Sequence, residues 1–213
     1  MGGATSASGS GGATPAAGSG NDAGSAGMSV AGAGGTAANP TGPAPTMGCM
    51  AADPAEEQQK WLQRDITVAS LPADQQAQFG ARKYFVRLPF DYDHKKAYPV
   101  VFYGPGCGAG NVENTPMMDQ IKNDAIHVFL LQKSNCFSTG STGGVVSPEV
   151  PYFTQALDQV QARYCTDSKR VFVSGYSSGS WLANMLACAL GPRIRAIGTA
   201  AGGLTKATTD LFK

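Results

Sequence analysis

Gly175-Tyr176-Ser177-Ser178-Gly179 is the only G-x-S-x-G in the chain, and these residue types at this spacing suit acyl transfer. A serine hydroxyl attacks a carbonyl carbon only when it is presented, relieved of its proton, and followed by stabilisation of the resulting oxyanion. The glycines meet the first condition. In a tight turn from strand to helix, side chains at either flank would collide, so Gly175 and Gly179 leave room while Ser177 is held outward in a strained conformation. The third condition falls to the backbone N–H of Ser178, at the positive amino end of the helix that follows. A second donor is expected from the loop after an earlier strand, where Gly104-Pro105-Gly106-Cys107-Gly108 stands. The Cys107 backbone N–H is the candidate, with Gly106 as its alternative.

The second condition calls for a histidine oriented by a carboxylate, in the order serine, acid, histidine. His94 and His127 both precede Ser177, no histidine follows it, and the only acid after it is Asp210. His94, in a charged turn, reads as a surface residue, and His127, in an apolar strand, as a packed one. The expectation is a chain truncated at its C-terminus, with negligible turnover as it stands. No cofactor is required. No histidine falls at metal-ligand spacing from a cysteine and there is no C-x-x-C pair, so no metal site is expected.

The elements around the motif are those its chemistry needs. Arg170 to Ser174 reads as a strand entering the motif, and Ser178 to Leu190, apolar nearly all round, as a buried helix leaving it. Tyr98 to Tyr103 is a buried strand that ends at the glycine loop. Lys83 to Leu88, Ala125 to Gln132 and Ile194 to Ala200 add strands, the middle one a continuous apolar run of the kind covered on both faces. Phe153, Leu157, Val160 and Tyr164 recur at helical spacing, so Glu149 to Cys165 is an amphipathic helix, and Met117 to Asn123 is weakly helical. Asp53 to Arg64 reads as a short helix or lead-in turn. Alternating strands and helices predict an α/β fold: a mostly parallel sheet with helices on both faces, incomplete at the C-terminus.

Composition bounds the rest. Residues 1–48 are almost only Gly, Ala, Ser, Thr, Pro and Asn, with one acid, Asp22, and no aromatic residue. Such a stretch cannot offset roughly 1 to 2 kcal/mol of backbone entropy per ordered residue, and it is read as a disordered tether to a domain over residues 49–213. Lys plus Arg number 16 against 15 Asp plus Glu, so no net field recruits nucleic acid or an anionic membrane, and a neutral substrate or polymer fits better. No run is long enough to span a membrane, and no signal-peptide pattern opens the chain. Cys49, Cys107, Cys136, Cys165 and Cys188 are isolated thiols or disulfides. Four of them can pair, which together with the tether points to an extracellular protein, secreted or surface-attached. Cys49 lacks the preceding apolar stretch that lipidation would need.

From about Tyr84 to Gly203 the chain resembles feruloyl esterases of the B, C and D type, relatives of polyhydroxybutyrate depolymerases in the α/β-hydrolase superfamily. The resemblance rests on Gly104-Pro105-Gly106-Cys107-Gly108, on Asn135-Cys136-Phe137, and on Tyr164-Cys165-Thr166-Asp167 leading into Arg170-Val171-Phe172. It continues through Gly175-Tyr176-Ser177-Ser178-Gly179-Ser180-Trp181-Leu182-Ala183, Leu186-Ala187-Cys188, Arg193-Ile194-Arg195-Ala196 and Ala201-Gly202-Gly203. It implies a secreted, disulfide-rich serine ester hydrolase that forms an acyl-enzyme on Ser177, with its acid and histidine beyond the equivalent of Gly203. Feruloyl esters of plant polysaccharide are the first expectation for substrate. A polyester of the polyhydroxyalkanoate kind or an acetylated xylan is the alternative. Two other readings stand beside it: a non-catalytic surface-binding domain that keeps the scaffold, and a peptidase of the same fold.

Overall fold

A computed structural model of the chain describes residues 42–112, 116–139 and 147–204. Ten elements carry the described fold: β1 Leu62–Thr67, α1 Ala73–Phe79, β2 Ala81–Arg87, β3 Tyr98–Gly104, α2 Pro116–Gln120, β4 Ile126–Leu130, α3 Glu149–Arg163, β5 Thr166–Tyr176, α4 Ser178–Leu190 and β6 Ala196–Ala200. The strands form one sheet in the order β1-β2-β4-β3-β5-β6. β4, β3, β5 and β6 run parallel, and β1 and β2 are antiparallel at one side.

The apolar runs explain this order. β4 is buried at all five positions, as a strand covered on both faces must be. Alternate residues serve two clusters. Val100, Phe102, Val128, Leu130, Val171 and Val173 pack with α3 through Phe153, Leu157 and Val160 and with α4 through Leu182, Met185 and Leu186. On the other face Phe85, Phe129 and Leu131 pack with Met118 of α2. Phe102 meets Phe153 with ring centroids 4.7 Å apart, and burying side chains of this size stabilises the fold by roughly 1.5 to 3 kcal/mol each.

Three boundaries differ from the sequence reading. Asp53 to Arg64 is not helical: it is irregular until Leu62, where β1 begins. β1 is an edge strand that buries Ile66, leaves Gln63, Asp65 and Thr67 exposed, and pairs its partly buried Arg64 with Glu56. β5 starts at Thr166 instead of Arg170, because Thr166 pairs with Tyr98 and Asp167 with Pro45. The tether expected over residues 1–48 lies outside the described residues as far as residue 41. Its last residues, however, are fastened to the domain. The Ala44 N–H donates to Asp167 Oδ1 at 2.9 Å, the Thr46 N–H donates to the Thr166 carbonyl at 2.9 Å, and Cys49 is joined to Cys165 by a disulfide. Burial alone would raise the Asp167 carboxyl, but hydrogen bonds from the Ala44 and Lys169 N–H groups and from Arg170 outweigh it and hold the group below the usual carboxylate range.

Candidate active site

The parallel register brings the two glycine-rich segments together at the carboxyl ends of β3 and β5, where Gly104 pairs with Gly175. Ser177 follows immediately, with φ 51° and ψ −114°, a left-handed conformation that a non-glycine residue holds only when its surroundings impose it. The surroundings are backbone packed on backbone. A Cβ on Gly179 would lie 1.8 Å from the Gly104 carbonyl oxygen, and one on Gly175 would lie 2.2 Å from the Gly179 carbonyl carbon and oxygen. The Ser177 N–H is held by the Ala200 carbonyl of β6 at 2.9 Å. Ser180 Oγ lies 2.7 Å from the Gly175 carbonyl oxygen and accepts from the Ala200 N–H at 2.8 Å. Strand, turn and helix are thus locked at three points around one outward-facing serine.

Ser178 is the first residue of α4, so its backbone N–H has no partner within the helix. Its hydroxyl accepts the Phe137 N–H at 2.9 Å, which ties the elbow to the segment after β4. Cys107 sits across the cleft and is joined to Cys136 by a disulfide. Among the described residues no acceptor is found for the backbone N–H of Cys107 or of Ser178. Gly106 also approaches the serine: a Cβ there would lie 3.5 Å from Ser177 Cβ and 3.2 Å from the Tyr176 ring. A cleft of about 370 Å³ opens over these groups, lined by Cys107, Cys136, Phe137, Ser177, Ser178 and Trp181 among others. A strained hydroxyl with backbone N–H groups of Cys107 and Ser178 around the same cleft is an arrangement that can supply a nucleophile and donors to an oxyanion.

Neither histidine belongs to this cleft. His127 is the second residue of β4, fully buried, with its Nε2 3.2 Å from the Ile121 carbonyl oxygen. Burial pushes its pKa down to about 4 against a smaller upward pull from that carbonyl. His94 precedes β3 at the amino end of the sheet, opposite the end that carries Ser177, with Nδ1 3.6 Å from the Asp53 carboxylate. Asp210 lies outside the described residues. No cluster of His, Cys, Asp or Glu among the described residues could hold a metal ion.

The sequence reading did not include Trp181 in the site. α4 was expected to be apolar and buried nearly all round, yet Trp181 is 42% exposed, because it stands four residues after Ser177 and therefore shares the cleft-facing side of the helix. The same spacing was the signal available for it. Gln132, which supports the glycine loop from behind, carried no sequence signal.

Sheet order, crossing helices and elbow define an α/β-hydrolase fold. A thermostable esterase of known structure matches it with a TM-score of 0.51 at 17% identity, over 71% of this chain and 43% of that one. In sequence the chain is similar to a probable feruloyl esterase C of Aspergillus niger, 25% identical over 135 residues, which is 60% of this chain and 48% of that protein. Feruloyl esterase C of Emericella nidulans is 26% identical over 135 residues, again 60% of this chain and 48% of that protein. The chain therefore spans about half the length of the curated relatives it matches. No protein-family model matches it.

Proposed function

We propose that the natural protein is a serine carboxylic-ester hydrolase with Ser177 as nucleophile and the Cys107 and Ser178 backbone N–H groups as oxyanion donors. The observation that carries this is the positive φ of Ser177 at the head of a cleft, a strain that a binding surface does not need. In the first half-reaction Ser177 Oγ bonds to the ester carbonyl carbon, its proton passes to a base, and the alcohol leaves with a proton. In the second, water adds to the acyl-enzyme, the acid departs and Ser177 regains its proton. Neither His94 nor His127 is placed in the cleft with Ser177, and the base is assigned to neither. Similarity to feruloyl esterases makes hydroxycinnamate esters of plant polysaccharide the first substrate class, ahead of acetylated xylan and polyesters. Two disulfides among the described residues support an extracellular setting.

The test is hydrolysis of methyl ferulate, acetylated xylan and a short polyhydroxyalkanoate by the natural protein and by its Ser177→Ala variant. Release of ferulate that Ser177→Ala reduces to background is the expected result. Equal rates in the two proteins would overturn the assignment.

A further inference from the structure

The glycine loop has a backbone direction, and one side chain sets it. Gln132, two residues beyond the end of β4, is 7% exposed. Its Nε2 donates to the Gly106 carbonyl at 2.6 Å and lies 3.4 Å from the Asn135 carbonyl oxygen. Both neighbours are carbonyl oxygens, so the amide nitrogen must be the atom that faces them. The peptide joining Gly106 to Cys107 is a rigid plane in which C=O and N–H point in opposite directions. Whatever holds the Gly106 carbonyl back therefore aims the Cys107 N–H the other way, and Cys107 lines the cleft that Ser177 also lines. Two other ties of the loop, the Gly108 N–H to the Asn135 carbonyl at 2.6 Å and the Cys107–Cys136 disulfide, fix where the loop sits, and neither holds the Gly106 carbonyl or the Cys107 N–H.

We propose that Gln132 is a positioning residue that keeps the Gly106–Cys107 peptide in the orientation from which Cys107 donates to the oxyanion. This rests on Ser177 being the nucleophile. A donor aimed at the oxyanion acts in the transition state and little in the ground state, so its misalignment lowers kcat and leaves KM nearly unchanged.

The experiment uses the natural full-length protein with a short chromogenic ester, comparing wild type, Gln132→Met and Ser177→Ala, with phenylboronic acid as the probe of the tetrahedral state. Expected for Gln132→Met is a fall in kcat of roughly 10- to 100-fold, less than the loss of a whole oxyanion donor. KM and the unfolding midpoint stay near wild type, while the boronate inhibition constant rises in step with the loss of kcat. An unchanged kcat in folded Gln132→Met, or a rise in KM alone, overturns the proposal. Should Gln132→Met not fold, Gln132→Asn, which keeps the amide one methylene short of Gly106, is read by the same criteria. Full activity in Ser177→Ala would instead locate the failure in the choice of nucleophile.

Discussion

The methyl group that separates alanine from glycine has opposite consequences at two positions, one in the first turn of α4 and one just past its end. At Gly179 it would lie 1.8 Å from the Gly104 carbonyl oxygen, whereas at Gly191 nothing lies within 4 Å. Gly179→Ala is expected to cost more than about 2 kcal/mol, since backbone must move to admit it, and Gly191→Ala to be neutral or slightly stabilising. Denaturant midpoints compare the two, and equal effects would contradict the packing described. His127 gives a second residue-scale prediction. The unfolded chain takes up its proton near pH 6.5 and the folded chain only near pH 4. The neutral ring's contribution is therefore complete above pH 6.5 and is lost as pH falls toward 4, by up to roughly 3 kcal/mol. His127→Gln should flatten that slope in unfolding midpoints measured between pH 7 and 4.5, and an unchanged slope would show that other groups account for it. At this scale the sequence was informative about residues with one possible reason for being there, such as Gly175, Ser177 and Gly179. It was silent about Gln132, a buried amide whose role depends on which carbonyl lies opposite.

Among the elements, the strands with continuous apolar runs, β3 and β4, and the helices α3 and α4 were legible, because burial on a fixed period leaves a mark in composition. What was not legible depended on partners far along the chain. The first residues of β5, Thr166-Asp167-Ser168-Lys169, are polar, and they form a strand because Tyr98 and Pro45 pair with them. β1 carries Arg64 and Asp65 and is stabilised at a sheet edge by its pairing with β2. The Cys49–Cys165 disulfide joins positions 116 residues apart, and a cross-link of that span removes unfolded-state entropy worth about 4 to 5 kcal/mol in the chain-entropy account. Cys165→Ser is expected to lower the unfolding midpoint by several degrees, with the loss matched by Cys49→Ser and not increased in the double variant. Additive losses in the double variant would mean that the two thiols act separately.

Across the whole described fold, each of the segments at issue converges on one end of the sheet. The carboxyl ends of β3 and β5 carry the glycine loop and the elbow, the Ala200 end of β6 holds the Ser177 N–H, and the segment after β4 supplies Gln132, Cys136 and Phe137. Ligand sites of open α/β sheets lie at that end because loops leave the strands there. The most direct test of the account is mass spectrometry of the natural full-length protein after exposure to a fluorophosphonate. A single adduct on Ser177, absent from the Ser177→Ala variant, is the predicted result. An unlabelled Ser177 in folded protein, or an adduct on another residue that survives Ser177→Ala, would contradict it.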